Sequence, residues 1–121
     1  MAIHGIGMDV VDVARMKKIL ARDDRLFFRK KIFSPTEIKY CEQSVNSAER
    51  YSVRFAAKEA CLKAIGDPSL PLNEIIVEKK KTGKPFLVFG GSIQKRVEGY
   101  HLHLTLSHTK NYACAVVVME E

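Results

Sequence analysis

The chain has few of the features that mark disulfide-bonded, zinc-binding or membrane-spanning proteins. It has only three cysteines, an odd number without C-x-x-C spacing, so neither a disulfide framework nor a zinc site is indicated. No apolar run approaches the roughly 18 residues of a transmembrane helix. The N-terminal segment has no basic n-region, and Asp9 interrupts its apolar run, so it is not typical of a signal peptide. We therefore expect a soluble protein in a reducing, cytoplasmic setting.

The sequence also contains no linker, internal repeat or low-complexity segment. It has 121 residues, of which 46% are hydrophobic. That length fits one domain, and that many apolar side chains can form one core without covalent cross-links. We therefore predict a single domain over residues 1–121.

Positive charge predominates, with 20 Lys and Arg against 14 Asp and Glu. Such an excess suits an anionic partner, which can be nucleic acid, a membrane, an acidic protein or a phosphate ligand. One continuous helix would hold five of these side chains in a single stripe: Arg15, Lys18, Arg22, Arg25 and Arg29. Met16, Leu20 and Phe27 would then lie on another face. A solvated helix surface is the alternative. Nucleic acid is disfavoured, because no aromatic residues alternate with the charges and no RNP or zinc-finger signature is present.

The first half of the chain is predicted to be mostly helical. Residues 2–12 are rich in Ile and Val and predict an opening strand, followed by the basic helix from about Val13. Asp23-Asp24 is a candidate break in that helix. Ser34-Pro-Thr-Glu37 has the serine N-cap, the proline and the glutamate of a helix start. A longer helix should begin at residues 46–47 and end at Gly66, where Gly-Asp-Pro supplies a left-handed cap and a helix breaker.

The second half is predicted to form hairpins. Strands over residues 75–77 and 86–89 flank a Lys-Thr-Gly-Lys-Pro turn. A short helix at about residues 92–98 should follow, and a second hairpin should pair residues 101–106 with 112–119 through a turn at Ser107 to Asn111. This order predicts an α+β fold with a largely antiparallel sheet and a long central helix.

The long helix carries Glu59 and Lys63 one turn apart, between two apolar surfaces. This pair is unusual on a helix that packs on two sides. The alternative is an ordinary i,i+4 ion pair, worth about 0.2–0.5 kcal/mol when exposed. Arg54 and Lys58 fall on the far flank, where we expect solvated side chains.

Other candidate residues lie near the ends of the predicted strands. Asp9 follows an apolar run, where a carboxylate suits burial only if it is paired or binds a metal; a capping or turn aspartate is the alternative. His108 lies in Ser-His-Thr, whose ring and N–H groups can meet an anion. Lys81-Thr-Gly-Lys84 can hold a phosphate or form a plain turn.

The segment from Gly5 to Gly7 lacks the third glycine of a dinucleotide motif, so a Rossmann domain is excluded. Carboxylates at two positions, a lysine and a histidine are the parts that magnesium-assisted phosphoryl transfer requires.

Four segments in this order resemble one known family. They are Gly5-Ile-Gly-Met-Asp9, Arg54-Phe-Ala-Ala-Lys-Glu-Ala-Cys-Leu-Lys-Ala-Ile-Gly66, Gly83-Lys-Pro85 and Leu106-Ser-His-Thr-Lys-Asn-Tyr-Ala113. Over nearly its whole length the sequence resembles the holo-acyl-carrier-protein synthases, the small trimeric type of 4′-phosphopantetheinyl transferase. The resemblance implies the fold of those transferases and a homotrimer with active sites at subunit interfaces. It also implies magnesium, coenzyme A as donor and an apo acyl carrier protein of fatty acid biosynthesis as acceptor, with no nucleic acid and no membrane.

The resemblance also implies a role for each matching residue. Asp9 and Glu59 would bind magnesium, and Lys63 would contact the transferring diphosphate. The candidate catalytic residues are Glu59, Lys63 and His108. The residues implied to bind coenzyme A are Arg54, Lys63, Gly83, Lys84, Pro85, Ser107, His108 and Thr109. The implied docking face for the acidic carrier helix consists of Arg15, Arg22 and Arg25. Residues 67–71 depart from the family pattern, so no contacts are assigned to them.

Two other functions explain part of the sequence. A nucleic-acid-binding protein would use the basic excess but would not need Asp9 and Glu59. A noncatalytic trimeric scaffold would use the apolar hairpins but would bind no coenzyme A. Within the transferase hypothesis, Glu59 can take the serine proton directly or through a metal-bound water.

Overall fold

Two antiparallel sheets and five α-helices make up the computed structural model, which describes residues 2–121. In the larger sheet, β5 (Tyr112–Glu120) lies between β1 (Ile3–Asp12) and β4 (His101–His108). The smaller sheet is a hairpin of β2 (Ile75–Lys79) and β3 (Pro85–Phe89). The predicted α+β class with antiparallel strands is confirmed, and the strands divide into two sheets.

Local chemistry sets the helix boundaries. The helices are α1 (Val13–Ala21), α2 (Phe27–Ile32), α3 (Pro35–Glu42), α4 (Ser47–Ile65) and α5 (Gly91–Arg96). The predicted capping box is present, since the Glu37 backbone N–H donates to Ser34 Oγ at 3.2 Å and the Ser34 N–H donates to Glu37 Oε1 at 2.9 Å. The long helix ends at Gly66, whose φ of 86° suits a residue without a side chain. Both predicted boundaries are confirmed. Within the described residues, no helix is both long enough and apolar enough to span a membrane.

The long helix α4 packs closely on the inner face of β1. A Cβ atom built at Gly7 would lie 1.8 Å from the carbonyl oxygen of Ala60, and one at Gly5 would lie 1.9 Å from that of Ala64. Only glycine permits so short an approach between a strand and a helix backbone. These two glycines therefore serve helix packing. The main core forms between α4 and the larger sheet, where Val117 and Met119 are buried.

The outer face of β1 is apolar and open in the single chain. Ile6, Met8 and Val10 alternate with the inward residues, and each exposes more than half of its surface. They pair across the sheet with residues 114–118 of β5. The larger sheet thus has one face covered by α4 and one apolar face that this chain leaves uncovered.

The basic segment after β1 is not one continuous helix, so the stripe of five basic side chains does not form, and the alternative of a break at Asp23-Asp24 is confirmed. The helix ends at Ala21, and Arg25 and Leu26 adopt left-handed φ values of 56° and 60°. The physical reason is Asp23, whose carboxylate accepts the N–H groups of Phe28 at 2.6 Å and of Arg29 at 3.0 Å and so starts α2 in a new direction.

The break in the helix changes the positions of two side chains, Arg29 and Phe27, from those predicted for a continuous helix. Arg29 turns inward and pairs with Asp23 and Glu42, each at 2.9 Å. Phe27 is 76% exposed, whereas Met16 and Leu20 are buried with Phe33 and Tyr51 in a second, smaller core. The prediction that Phe27 shares one helix face with Met16 and Leu20 is therefore wrong.

The turn between β4 and β5 is shorter than predicted. Strand β4 continues to His108, so the turn comprises residues 109–111. The Thr109 hydroxyl closes it by accepting the backbone N–H groups of Asn111 at 3.3 Å and Tyr112 at 3.1 Å. Ser107 and His108 are therefore strand residues.

Candidate active site

Asp9, Glu59 and Lys63 meet where β1 crosses α4. The Lys63 Nζ donates to the Met8 carbonyl oxygen at 2.9 Å and to Asp9 Oδ1 at 3.3 Å. Asp9 and Glu59 both line a cavity of about 370 Å³ between β1 and α1. The Lys63 side chain is 54% exposed, and that of Asp9 is 19% exposed. The three predicted residues form one cluster that solvent and solutes can reach.

The close contact between β1 and α4 at Gly5 and Gly7 determines where this cluster lies. Gly5, Gly7 and Asp9 follow one another at intervals of two, so all three face α4. On the helix, Glu59 and Lys63 directly precede Ala60 and Ala64, the residues that the glycines touch. The close backbone approach therefore brings the Asp9 carboxylate to the turn of α4 that carries Glu59 and Lys63.

The two carboxylates of the cluster influence each other. Burial raises the pKa of the Glu59 carboxyl, and the charge of Asp9 raises it further, while Lys63 acts in the opposite direction. Two carboxylates held near each other without a second strong cation favour a bound divalent metal. Within residues 2–121 there is no group of three or more His, Cys, Asp or Glu residues that could hold a metal alone. Oxygen atoms of a substrate or water would have to complete the shell, as is usual for Mg²⁺.

A larger cavity also begins at this cluster. It has a volume of about 860 Å³ and extends from Glu59 and Lys63 along Leu62 to the loop of residues 66–73. The loop is tied to α5 by a 2.7 Å ion pair between Asp67 and Arg96. Hydrogen bonds from Ser69 and then from Arg96 lower the pKa of Asp67 to about 2. Residues 67–71, which depart from the family pattern, therefore form one wall of a groove that starts at the candidate catalytic residues.

A second group of predicted residues lines a separate basic cavity of about 630 Å³. The lining includes Arg54, Gly83, Lys84, Pro85 and His108. Gly83 has a φ of 89°, which lets the Lys-Thr-Gly-Lys turn close. His108 Nδ1 lies 3.4 Å from Glu49 Oε1. Ser107 and Thr109 are not among the lining residues, and the Thr109 hydroxyl serves the turn.

Several lining residues of the basic cavity were not predicted, and among them are Tyr40, Arg50 and Lys79. Arg50 precedes Arg54 by four residues, so the i,i+4 spacing on α4 was a signal that these two arginines share a face. Tyr40 and Lys79 come from α3 and β2, and no local pattern connects them to α4.

The predicted solvation of Arg54 and Lys58 is wrong. Arg54 is only 4% exposed, and Lys58 is fully buried. The Lys58 ammonium lies 2.7 Å from Glu37 Oε1, because α3 and the start of β2 cover this flank of α4. Burial lowers the pKa of Lys58, and the Glu37 carboxylate opposes that change. The helix period identified the flank correctly, but the elements that cover it are distant in sequence.

The proposed docking residues are only partly together. Arg15 and Arg22 line a groove of about 590 Å³ with Lys18 and the exposed Phe27. Arg25 is not part of this lining, because the chain leaves the helix after Ala21. The groove combines three basic side chains and an exposed aromatic ring with two acidic residues, Asp23 and Asp24.

The two sets of candidate residues do not share a cavity within one chain. Among residues 2–121, no side chain that lines the basic cavity around Arg54 also lines either cavity at Glu59. The carboxylate cluster and the basic cavity are therefore two partial sites on one molecule.

Both the sequence and the fold of the chain are similar to those of known proteins. The profile of the 4′-phosphopantetheinyl transferase superfamily matches residues 5–117. The chain is 42% identical over 131 residues to the holo-[acyl-carrier-protein] synthase of Cytophaga hutchinsonii, a match that covers 98% of both chains. It is 40% identical to the synthase of the same name from Syntrophus aciditrophicus, over 98% of this chain and 96% of that protein.

Solved structures of the same class have the same fold. The holo-[acyl-carrier-protein] synthase of Neisseria meningitidis matches with a TM-score of 0.90 and 28% identity, over 99% of this chain and 100% of that one. That of Bacillus anthracis, solved in complex with CoA (3′,5′-ADP), matches with a TM-score of 0.81 and 31% identity, over 98% of this chain and 96% of that one.

Proposed function

The chain belongs to the 4′-phosphopantetheinyl transferase superfamily and is an enzyme of the holo-[acyl-carrier-protein] synthase type, and we propose on that premise that its reaction depends on magnesium. In this reaction 4′-phosphopantetheine passes from coenzyme A to a serine of an apo acyl carrier protein, and 3′,5′-ADP is released. The observation that carries the proposal is the open cluster of Asp9, Glu59 and Lys63, with two carboxylates beside a half-exposed lysine.

Asp9 and Glu59 are the proposed magnesium ligands. They offer carboxylate oxygens, the donors that Mg²⁺ prefers, and the coenzyme A diphosphate with water can supply the other positions. The ion, when bound, would offset the negative charge of the diphosphate. The raised pKa of Glu59 supports the assignment, because burial and then the charge of Asp9 disfavour the carboxylate form, which a bound cation would stabilise.

Lys63 and Glu59 have further roles in the proposed transfer. The serine oxygen forms a bond to the β-phosphorus, and the bond from that phosphorus to the bridging oxygen breaks as 3′,5′-ADP departs. Lys63, which uses only part of its donor capacity within the chain, can neutralise charge on the phosphoryl oxygens. Glu59 accepts the serine proton, either directly or through water.

The basic cavity is the proposed site for the nucleotide end of coenzyme A. Arg54, Lys84 and His108 would face its 3′-phosphate and adenine. The Nε of Arg54 is buried and has no hydrogen-bond partner within the described residues. A buried donor without a partner is costly, so an anion that accepts from it would be favoured.

A homotrimer with active sites at subunit interfaces is the proposed assembly. Its first support is that the carboxylate cluster and the basic cavity are separate within one chain. The second is the uncovered apolar face of the larger sheet, where Ile6, Met8 and Val10 are exposed. Patches of this kind mark protein interfaces. Further copies of this chain would cover the face and bring the two partial sites together.

The groove beside α1 is the proposed docking site for the acyl carrier protein. Arg15 and Arg22 would attract an acidic helix, and Phe27 offers an apolar contact. Arg25 lies next to this groove in the sequence and would act at longer range. We further propose that the product serves fatty acid biosynthesis.

The cytoplasm is the proposed location of the enzyme. Cys41, Cys61 and Cys114 are all unpaired, which suits a reducing compartment.

Mass spectrometry of the carrier tests the proposal directly. Purified protein, coenzyme A and an apo acyl carrier protein are incubated with Mg²⁺, and the carrier should gain one phosphopantetheine while 3′,5′-ADP accumulates. Chelation of the metal with EDTA should stop both signals, and added Mg²⁺ should restore them. Transfer that continues unchanged in EDTA would contradict the magnesium assignment, and no transfer to several carriers would contradict the activity. Sedimentation analysis measures the oligomeric state, and a monomer that is fully active would contradict interfacial sites.

A further inference from the structure

Three cationic side chains surround one aromatic ring in the basic cavity. The ring of Tyr40 on α3 has the Arg50 Cζ at 4.0 Å and the Arg54 Cζ at 4.2 Å from its centroid. The Lys79 Nζ lies 5.3 Å from the same centroid and 3.0 Å from the Tyr40 hydroxyl oxygen. Each cation comes within the distance at which the negative face of an aromatic ring attracts positive charge.

This arrangement needs the ring, because the three cations repel one another. None of the ion pairs within residues 2–121 involves Arg50, Arg54 or Lys79. Glu49, a carboxylate that lines the cavity, faces His108 instead. The attraction of the Tyr40 ring therefore compensates for part of the repulsion between these charges.

Tyr40 also fixes the cluster through its backbone. Arg50 Nη1 donates to the Tyr40 carbonyl oxygen at 2.7 Å, and Arg54 Nη1 donates to the Arg50 carbonyl oxygen at 3.4 Å. The guanidinium of Arg54 is buried, yet its Nε remains without a partner. The cluster is therefore ordered and still has unused donor capacity, as expected for a preformed anion site.

We propose that Tyr40 is a positioning residue that gathers Arg50, Arg54 and Lys79 into one cradle for a phosphate monoester. The cradle sets a preference for coenzyme A over dephospho-coenzyme A, which lacks the 3′-phosphate. This inference rests on the proposed function, in which coenzyme A is the donor. It adds the residues that decide which form of the donor is accepted.

Calorimetric titration of the wild type with coenzyme A and with dephospho-coenzyme A provides the test. The wild type should bind coenzyme A at least about tenfold more tightly, since two or more charge-assisted contacts depend on the 3′-phosphate. Tyr40→Leu removes the ring and should reduce that ratio by about tenfold. Tyr40→Phe keeps the ring and loses only the hydroxyl contact with Lys79, so its ratio should fall by only about twofold to threefold. Tyr100→Leu is the matched control, because Tyr100 stacks on His4 away from the cavity, and its ratio should equal that of the wild type.

The outcomes separate this inference from the proposed function. If the wild type binds neither ligand and transfers nothing, the proposed function fails. If the wild type transfers phosphopantetheine but Tyr40→Leu keeps the wild-type ratio, only this inference fails. A Tyr40→Leu variant that weakens both ligands equally would make Tyr40 merely structural and would also overturn it.

Circular dichroism and thermal unfolding verify that each variant is folded. Should Tyr40→Leu be unfolded, Arg50→Ala and Lys79→Ala decide the question. Each removes one cation of the cradle and should reduce the ratio, and unchanged ratios in both would overturn the inference.

Discussion

Lys58 and Lys63 lie on the same helix, five residues apart, and have opposite surroundings. Lys58 is fully buried, and its Nζ donates to Glu37 Oε1 at 2.7 Å, to the Leu72 carbonyl oxygen at 3.1 Å and to the Ile75 carbonyl oxygen. The Lys63 side chain is 54% exposed, and its contacts to Met8 and Asp9 are 2.9 Å and 3.3 Å long. One lysine is enclosed by the fold, and the other lies at a site that is open to a ligand.

The difference shows how donor capacity separates a structural lysine from an available one. An ammonium group has three donors, and the three acceptors around Lys58 use all of them. A charge buried in this way persists only because it is paired and fully hydrogen-bonded. Lys63 retains a donor and faces solvent, so a phosphate oxygen can approach it.

Glu37 extends the contrast, because its single carboxylate joins three elements. It accepts the Ser34 N–H of the capping box, the Lys58 ammonium and, at 2.9 Å, the N–H of Val77 in β2. The buried pair therefore ties α3, α4 and β2 together. Asp9 makes no comparable set of contacts, so we expect its removal to leave the core intact.

The largest expected effect concerns the open site. Asp9→Ala and Glu59→Ala should each abolish transfer while the protein stays folded, because each removes a proposed magnesium ligand that the core does not use. Turnover is measured by carrier mass spectrometry and folding by urea denaturation. Glu98→Ala, at an exposed helix-flanking position, is the control and should be fully active. Near-normal turnover of either variant at low Mg²⁺ would contradict the ligand assignment.

Substitution of each lysine by methionine tests the comparison through the free energy of unfolding. Lys58→Met leaves the Glu37 carboxylate buried without its cation and should lower the free energy of unfolding by about 3–5 kcal/mol. Lys63→Met removes only an exposed pair and should lower it by less than about 1 kcal/mol. Urea denaturation of both variants gives the two values. Equal losses would show that burial does not separate the two lysines.

Catalytic turnover should distinguish the two lysines in the opposite sense, because Lys63 is the one that we propose to act in the reaction. Lys63→Met should raise the activation free energy by about 2.7–4 kcal/mol, the range found when one electrostatic stabiliser is lost. Steady-state kinetics below the unfolding temperature measure this change, and Lys63→Arg should recover part of the activity because it restores the positive charge. Wild-type turnover in Lys63→Met would mean that the pair with Asp9 is an ordinary surface contact.

The smallest expected effect concerns exposed charges outside both lysine sites. The double reversal of Arg15 and Arg22 to Glu should raise the KM for the carrier by about tenfold, because attraction becomes repulsion across the proposed docking groove. The KM for coenzyme A should change little. Lys17→Glu alters the charge of the same helix outside the groove and is the control. An unchanged carrier KM, or equal changes for both substrates, would contradict the docking assignment.

Local patterns predicted much of the fold and part of the site. The capping box at Ser34–Glu37 and the stop at Gly66 depend on residues within one turn, so they were visible in the sequence. The grouping of Asp9, Glu59 and Lys63 was implied by family resemblance, and the structure explains it through Gly5 and Gly7.

Features that depend on distant segments were not predictable in this way. The helical period placed Lys58 on a flank of α4, but only α3 and β2 make that flank interior. The break after α1 is local by contrast, because Asp23 accepts N–H groups only five and six residues away, and Asp23-Asp24 was a visible signal for it. No sequence pattern predicted that Tyr40 lines the basic cavity, because its partners lie on α4 and β2.

The sequence by itself determined the elements, their capped ends and the family, because each depends on neighbouring residues or on residue identity at matching positions. The tertiary structure alone decided which charges are enclosed and which are available. It also divided the candidate residues between a carboxylate cluster and a basic cavity. The physical reason is that burial and hydrogen-bond saturation of a charged group depend on atoms from segments far away in the chain.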